Sequence, residues 1–407
     1  MADVLARFAD WLEGFGESSY DHQSFFAGPI GGRAKALYYR HKAVGMLAVA
    51  PMVLCEACVP SARRLFHEAM RFPIADAHFA MGFAALYQAS GDPAHLSRAI
   101  HFLNALKESR SPEFKEYCWG YPFDWVTRNG TLRRGTPFIT STPYAYEAFL
   151  QVFGIDRRGE WRDVLESIVR HVCLDIRDFR ATERASSCGY SPDDLRGGVV
   201  NAAAYRAFTL TSASRVFERE EYWNIAERNL AFVLESQNPD GSWPYAMDGV
   251  RDFVDHFHTC FVMKALAKIH SLTGDPACLD ALARGTTFYL ENLFGSDGLP
   301  RPFAKAPRIT VYRQELYDFA ECINLCLLLR DRFPACETKL ETVVEGLLNA
   351  WIKPDGSFRS RRLMLGWDNV PMHRWAQSQM FRSLAVYHRD RLPARHAAAP
   401  VRQEQTR

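Results

Sequence analysis

The sequence has almost no β-strand signals. Alternating apolar and polar runs bounded by Asn-Gly or Asp-Gly turns are nearly absent, and β-branched residues are sparse. It also has no apolar run long enough to cross a bilayer, because the longest one, residues 43–55, is too short and contains a proline. These absences argue against an all-β fold and against a membrane span, and they favour a helical protein.

An excess of charge of one sign is also missing. The 49 basic and 47 acidic residues leave a net charge of +2, whereas non-specific nucleic-acid binding requires a strongly basic face. The N-terminal residues 1–16 carry acids where a signal peptide needs basic residues, and their apolar residues recur at helical spacing. We therefore predict no nucleic-acid partner and a cytoplasmic location.

Motifs for a bound cofactor or metal are absent as well. The sequence contains no P-loop, no GxSxG elbow and no dinucleotide fingerprint, and the Gly-rich residues 27–34 lack the GxGxxG spacing. Cys55 and Cys58 form one CxxC pair, but no second pair stands at zinc-ribbon spacing. The sequence therefore predicts neither a cofactor nor a metal ion.

Helical periodicity runs through the rest of the chain. Six segments are rich in alanine and large apolar residues almost all round, which predicts helices buried on more than one face. These segments are residues 77–90, 143–154, 201–217, 256–272, 317–331 and 373–388. They alternate with amphipathic segments that have a clear charged face, at residues 94–109, 161–176, 222–237, 277–293 and 336–352.

This alternation repeats every roughly 54 to 66 residues, which is too long for tetratricopeptide or ankyrin units. An inner layer that is apolar all round and an outer layer that is half polar predict an all-α (α/α)6 toroid, formed as one domain over residues 1–390. Residues 1–59 are expected to pack on the ring or to join it, with a seventh hairpin as the alternative. Residues 391–407 are predicted to be a disordered tail.

The loops that precede three of the inner helices share a spacing. Each places an acid three residues after a tyrosine, an offset that turn formation alone does not explain. The pairs are Tyr121 and Asp124, Tyr190 and Asp193, and Tyr245 and Asp248. Because the loops leading into the inner helices of a toroid gather at one mouth, we expect these acids to face a shared cavity.

The alternation, with a DGSW-type loop before an inner helix, resembles the six-hairpin α/α toroids. That group includes glycoside hydrolases, polysaccharide lyases and sugar epimerases, and more distantly terpene cyclases and prenyltransferases. The segments CWGYPFDW, GTPFITSTPYAYEAF, NPDGSWPYAMDG and HRWAQSQMFRSLA further resemble the bacterial VpsJ-like proteins of polysaccharide biosynthesis. The resemblance implies a role in making or modifying an exopolysaccharide and implies no catalytic residue.

Sugar chemistry requires paired acid and base groups, such as two carboxylates that flank a glycosidic bond. We predict Asp124, Asp248, Asp255 and His258 as the catalytic set, acting by general acid–base chemistry. Asp255 is equally well placed to cap the helix that begins at residue 256. His258 has a satisfied core histidine as its alternative role.

A second set is predicted to bind the sugar. Its aromatic rings can stack on sugar faces, its carboxylates and histidine can accept or donate hydrogen bonds, and its arginine can clamp the carboxylate of an acidic sugar. For each ring taken singly, packing against a neighbouring loop is the alternative. The members are Trp119, Tyr121, Glu147, Tyr190, Asp193, Trp243, Tyr245, His256 and Arg374.

The sequence therefore favours an enzyme that acts on a bacterial polysaccharide or oligosaccharide as a hydrolase, lyase or epimerase, with polysaccharide-assembly proteins as further partners. The first alternative is a non-catalytic glycan-binding or scaffold protein. The second is a cyclase or prenyltransferase. A terpene cyclase would need an acid at Ser191, two residues before Asp193, and a zinc-dependent enzyme would need a Cys/His trio.

Overall fold

A computed structural model of the chain describes residues 1–128, 130–307 and 310–392. The last helix continues to Arg391, so most of the predicted tail, from residue 393 onward, lies outside the described residues.

The described residues are mostly helical. The first eight helices are α1 (Ala2–Phe15), α2 (Ser24–Ala27), α3 (Pro29–Arg40), α4 (Lys42–Cys58), α5 (Arg63–Phe66), α6 (Pro73–Ser90), α7 (Pro93–Glu108) and α8 (Thr142–Ile155). The next eight are α9 (Gly159–Leu174), α10 (Val200–Phe217), α11 (Glu220–Glu235), α12 (His256–Thr273), α13 (Pro276–Asn292), α14 (Leu316–Leu329), α15 (Ala335–Ala350) and α16 (Ser378–Arg391). A 3₁₀ turn (Pro60–Ala62) and a π-helical turn (His373–Gln377) complete the set.

Six helices form a closed inner ring in the order α6, α8, α10, α12, α14 and α16, and α16 packs back against α6. Their alanine-rich sequences allow burial on nearly every side, as the sequence predicts. The ring closes tightly at Gly82 of α6, where a Cβ atom would lie 2.6 Å from the ring of Phe381 on α16. The predicted (α/α)6 toroid is confirmed.

The outer layer consists of α7, α9, α11, α13 and α15, each of which follows an inner helix and packs against it. The sixth outer position is taken by α1, at the other end of the chain. Phe8 of α1 stacks on Phe381 and on Phe358, with ring centroids 5.0 Å apart in both pairs. The first helix therefore completes the sixth hairpin, and does not begin a seventh.

Two of the turns between inner and outer helices share a sequence and a structure. In the segments SGDPAH and TGDPAC, Asp92 and Asp275 cap α7 and α13 by accepting hydrogen bonds from the N–H groups of Ala94 and Ala277. A proline follows each aspartate at the first helical position, where its missing N–H costs nothing. The shared Gly-Asp-Pro sequence thus caps both outer helices in the same way.

The loops that lead into the inner helices contain short antiparallel strands. These are β1 (Ser18–Ser19), β2 (Met70–Arg71), β3 (Trp125–Thr127), β4 (Gly130–Leu132), β5 (Asp178–Arg180), β6 (Ser186–Cys188), β7 (Val254–Asp255), β8 (Phe303–Lys305), β9 (Tyr312–Glu315), β10 (Arg361–Leu363) and β11 (Trp367–Asp368). They pair as β1–β2, β3–β4, β5–β6 and β7–β8, with a three-stranded sheet in the order β11-β10-β9. The strands stiffen the mouth of the toroid without forming a continuous sheet.

An antiparallel helical hairpin, α3–α4, lies beside this mouth. It packs on α2 and on β3, which belongs to the loop that enters α8. Buried ion pairs connect the flanking N-terminal segment to the far end of the chain: Arg63 to Asp368 (2.6 Å) and Arg374 to Asp21 (2.7 Å). Among the described residues, no helix combines the length and the apolarity needed to span a membrane.

Candidate functional site

A cavity lies where the N-terminal ends of the inner helices converge. Its volume is about 40 Å³, and it opens at the mouth of the ring. Its walls are mainly aromatic rings with a few polar groups among them, and none of the lining side chains from the described part of the chain is a carboxylate. The lining residues are Ile74, Tyr121, Thr140, Tyr144, Tyr190, Asn201, Phe257, His258, Phe261, Tyr317, Arg374, Trp375 and Gln379.

His258 and Asp255 form a dyad at the start of α12. Oδ1 of Asp255 accepts the backbone N–H of His258 at 2.9 Å, and Oδ2 accepts a hydrogen bond from Nδ1 of the same residue at 2.6 Å. The carboxylate thus caps the helix, the alternative role considered for Asp255, and it also fixes the imidazole tautomer. This leaves Nε2 as the ring nitrogen that can accept a proton.

Aromatic rings surround this imidazole. The rings of Phe257, Tyr245 and Phe261 lie 4.3, 4.7 and 5.6 Å from that of His258, measured between centroids. His258 lines the cavity, and it is about one-fifth exposed as a side chain. The packing holds the imidazole in one orientation while its free edge stays accessible, as a general base requires.

Arg374 lies in the π-helical turn that precedes α16, on another wall of the cavity. Its Nε and Nη2 donate to Asp21 at 2.8 and 2.7 Å, and both side chains are buried. Burial alone would raise the pKa of Asp21, but the charges of Arg374 and His22 and the hydrogen bonds lower it to about 2. Nη1 of Arg374 is buried and has no hydrogen-bond partner among the described residues, so it remains free to donate to a ligand.

Four tyrosines supply hydroxyl groups to the cavity. Burial raises the pKa of Tyr144, Tyr190 and Tyr317 well above 10, and that of Tyr121 is raised as well, so all four are neutral donors near pH 7. The hydroxyl of Tyr144 bonds that of Tyr205 at 2.5 Å. The cavity therefore offers hydrogen-bond donors without adding negative charge.

Two further polar side chains in the cavity lack partners. Both Nε2 and Oε1 of Gln379, and Oδ1 of Asn201, are buried without a hydrogen bond to any described residue. A buried amide without a partner is costly, and such groups are satisfied by water or by a ligand. Together with Arg374 they give the cavity several unused polar contacts.

The acids of the Tyr-x-x-Asp pairs, which we expected to face a shared cavity, do not line it, whereas the three tyrosines lie in or beside it. Tyr121 and Tyr190 line the cavity, and the Tyr245 ring flanks His258. Asp193, by contrast, is exposed in its loop, and it is Asp194 whose carboxylate accepts the backbone N–H of Tyr190. The shared offset therefore places rings at the mouth, while its acids serve the loops or face solvent.

Asp124 and Asp248, predicted as catalytic acids, stabilise turns instead. Asp124 is exposed and accepts the N–H of Arg134 at 2.7 Å. Asp248 accepts the N–H groups of Val250 and Arg251 and pairs with the Arg251 side chain at 2.6 Å. Slight burial would raise the pKa of Asp248, but these bonds lower it to about 2. Neither carboxylate lines the cavity.

Trp119 and Trp243, predicted to stack on sugar, are buried in the walls of the toroid. Their indole N–H groups donate to the carbonyls of Leu106 and Val233, at 2.8 and 3.0 Å, near the ends of the preceding outer helices. Each tryptophan thus satisfies a helix-end carbonyl and fixes its loop. Their large apolar rings explain this placement, and packing was the alternative that the sequence left open.

His256 and Glu147 also lie outside the cavity lining. His256 is fully buried, with Nδ1 bonded to the carbonyl of Leu293 at 3.2 Å and Nε2 bonded to the hydroxyl of Tyr289 at 2.9 Å. Glu147 pairs with Lys268 at 2.6 Å and with Arg382 at 3.0 Å. Burial would raise the pKa of Glu147, but these two cations lower it to about 2. Both are satisfied groups within the ring.

His373 begins the π-helical turn but points away from the cavity. Its ring packs against Trp11, Phe15 and Phe79, and Nε2 donates to the carbonyl of Gly16 at 2.9 Å. Burial lowers its pKa to about 4, since the charged form would be poorly solvated there.

This histidine predicts a pH-dependent stability. Between its ordinary pKa of 6.5 and its folded pKa of about 4, the unfolded chain binds a proton that the folded chain does not. The neutral His373 side chain therefore contributes about 3 kcal/mol to the free energy of unfolding above pH 6.5, and this contribution is lost as the pH falls towards 4. Urea unfolding should show that the difference in unfolding free energy between wild type and His373→Gln is smaller by this amount at pH 4 than at pH 7. The exposed His101→Gln is the control, and a gap that is constant with pH would contradict the prediction.

No protein-family model matches the chain, and no curated protein matches its sequence. The resemblance to VpsJ-like proteins is therefore not confirmed. Solved structures do share the fold. A cellobiose 2-epimerase from Bacillus thermoamylovorans has a TM-score of 0.62 at 12% identity, covering 79% of this chain and 88% of its own. A D-mannose isomerase has a TM-score of 0.58 at 13% identity, covering 78% and 87%.

An inactive variant of an α-1,6-mannanase from Salegentibacter, in complex with α-1,6-mannotriose, has a TM-score of 0.57 at 13% identity and covers 79% of this chain and 90% of its own. At these identities the likeness concerns architecture. The chain has the six-hairpin (α/α)6 toroid fold that these enzymes also have.

Proposed function

We propose that this protein is a carbohydrate-active enzyme that moves a proton at a carbon atom of a sugar, as an epimerase, isomerase or lyase does. The observation that carries the proposal is the His258–Asp255 dyad, which faces a cavity containing neutral hydroxyl donors and an unpartnered arginine nitrogen. Sugar epimerases, a sugar isomerase and a polysaccharide lyase are among the proteins that share the fold, which supports the same class of chemistry.

The proposed reaction begins on a carbon next to a carbonyl group. Nε2 of His258 accepts the proton, and the electron pair of the C–H bond moves to the carbonyl oxygen. Nη1 of Arg374 and the neighbouring tyrosine hydroxyls donate hydrogen bonds to that oxygen as its charge develops. Inversion requires that a proton reach the opposite face of the same carbon, and a tyrosine hydroxyl of the cavity is the donor that we propose. Isomerisation returns the proton to the former carbonyl carbon while the hydroxyl proton of the first carbon moves to the carbonyl oxygen. In an elimination, the group on the next carbon leaves with its bonding electron pair and takes up a proton.

Hydrolysis is less well supported. A glycoside hydrolase normally uses two carboxyl groups separated by about 5–9.5 Å, and the cavity lining contributes none among the described residues. Asp124 and Asp248 are engaged in exposed turns, and Asp255 is already bonded to His258. We therefore centre the proposed site on Asp255 and His258, without the other two aspartates.

The cavity favours a neutral sugar over an acidic one. A carboxylate clamp needs two parallel N–H donors of one guanidinium, and Asp21 occupies Nε and Nη2 of Arg374. Asp21 also balances the charge of the guanidinium, and no other lining side chain of the described residues is a lysine or arginine. The N–H groups that remain on Arg374 therefore suit a hydroxyl or carbonyl oxygen. The earlier expectation of an acidic sugar loses its main support, while a role in polysaccharide biosynthesis, with assembly proteins as partners, stays a prediction.

Proton exchange with solvent tests this proposal. The protein is incubated in deuterium oxide with a panel of neutral mono- and disaccharides, and with uronic-acid polymers as the comparison set. Nuclear magnetic resonance then follows deuterium at carbons 2 and 5, with ultraviolet absorbance for unsaturated products and chromatography for chain shortening. We expect deuterium at carbon 2 of a neutral sugar. Chain shortening without deuterium would favour hydrolysis, and binding without any reaction would favour the non-catalytic alternative.

A further inference from the structure

The α3–α4 hairpin exposes an apolar face to solvent. Val44, Leu47 and Leu54 of α4 are 58%, 77% and 64% exposed, and their spacing of three and seven residues places them on one side of the helix. Monomeric proteins rarely leave a large contiguous apolar surface uncovered. The face therefore requires a partner.

Exposed apolar side chains are concentrated in this part of the molecule. Of the twenty large hydrophobic residues that are exposed in the described chain, nine fall within residues 30–65. Six of these are more than half exposed: Ile30, Val44, Leu47, Leu54, Val59 and Leu65. Val44, Leu47 and Leu54 define the hairpin face, while Ile30 lies in the first turn of α3, and Val59 and Leu65 follow α4. No other stretch of similar length approaches this density among the described residues.

The two helices of the hairpin pack closely on each other and on a small core. Its two helices touch at Gly45, where a Cβ atom would lie 2.1 Å from the Cα atom of Tyr38. Phe25, Ala34 and Met52 form a small buried core beneath it. The apolar side chains are thus presented outward by a packed element.

The charge around the face is strongly basic. The hairpin, residues 29–58, contains four Lys or Arg and a single acid, Glu56, which pairs with Arg361 at 2.7 Å. Arg33, Arg40 and Lys42 form no ion pair with any described residue. Since the whole chain carries only +2, the rest of it has a net negative charge.

We propose that the hairpin face docks on the surface of an anionic lipid bilayer. An apolar helix face with basic residues beside it inserts at the boundary of headgroups and acyl chains, and lysine and arginine pair with the phosphates. α4 would then lie in the plane of the membrane. A second copy of the chain fits less well, because a symmetric contact would bring two basic hairpins together, and the one acid of each hairpin, Glu56, is already paired with Arg361.

Vesicle sedimentation of the full chain tests the proposal. Vesicles of phosphatidylcholine alone are compared with vesicles containing 30% phosphatidylglycerol, on the order of the anionic content that attracts polybasic segments. We expect binding only to the anionic vesicles, with affinity falling as salt is added. Leu47→Glu with Leu54→Glu should lower the binding constant at least tenfold, and Arg40→Gln with Lys42→Gln should lower it about thirtyfold.

The matched control is Leu174→Glu with Leu195→Glu, two leucines that are 74% and 70% exposed elsewhere on the surface. This control should bind like wild type, and circular dichroism should show that all variants keep their helix content. Absence of binding to anionic vesicles, equal binding to neutral ones, or an equal loss in the control would overturn the proposal. So would a wild-type dimer in sedimentation velocity that the Leu47→Glu and Leu54→Glu pair dissociates. None of these measurements depends on catalysis.

Discussion

Replacing His258 by glutamine is expected to lower kcat/KM by about 10²–10⁴-fold, because the side chain then lacks a nitrogen that can accept the substrate proton. Glutamine keeps a similar length, and the backbone N–H bond to Asp255 remains available, so α12 should begin at the same residue. The measurement is kcat/KM on the sugar that shows solvent exchange, together with a thermal melt to verify folding.

Asp255→Asn refines this prediction. Asparagine caps helices about as well as aspartate, but it cannot provide the charge that stabilises a protonated imidazole next to it. We expect kcat to fall while KM changes little, and the melting temperature to stay near that of wild type.

The control for a general effect of removing a histidine is His101→Gln, on the outer helix α7. Activity of His258→Gln within tenfold of wild type would rule out this residue as the base.

Asp368→Asn is expected to destabilise the protein by about 3–5 kcal/mol, because it leaves the buried charge of Arg63 without its anion. The two side chains form a bidentate pair with distances of 3.1 and 2.6 Å, and both are fully buried. Urea unfolding monitored by circular dichroism gives the difference in unfolding free energy.

The matched control removes an exposed pair. Asp252 and Lys305 are 58% and 61% exposed, so Asp252→Asn should change stability by less than about 1 kcal/mol. Replacing both members of the buried pair, with Arg63→Met and Asp368→Leu, should recover much of the lost stability, since no uncompensated charge remains. A loss below 1 kcal/mol in Asp368→Asn alone would show that Arg63 is solvated or paired another way.

The fold was predictable because its signal is periodic. Apolar residues recur on nearly all sides of six segments and on one side of five others, and burial is the dominant force that arranges such helices. The role of α1 was not predictable in this way. Its pairing with α16 is a contact between the two ends of the chain, and an amphipathic pattern does not specify its partner.

The site was predictable only in part. His258 and Asp255 stood out because a helix N-cap lay beside a titratable group, and Arg374 because a cation in an apolar segment needs a partner. Asp21 gave no such signal, since its partner is 353 residues away. Asp124 and Asp248 were predicted as catalytic residues from the Tyr-x-x-Asp offset. The same offset could equally serve loop packing and turn capping. Spacing along the chain did not distinguish these roles.

The pairing of α1 with α16 has a consequence for synthesis. About 360 residues separate the end of one helix from the start of the other, and ribosomes add roughly 5–20 residues per second. Phe8 of α1 also lies near Phe79 of the early helix α6, but its stacking partner Phe381 is missing for roughly 20–70 s during translation. Throughout that interval the apolar side of α1 is only partly covered, so we expect chaperones to engage the nascent chain there.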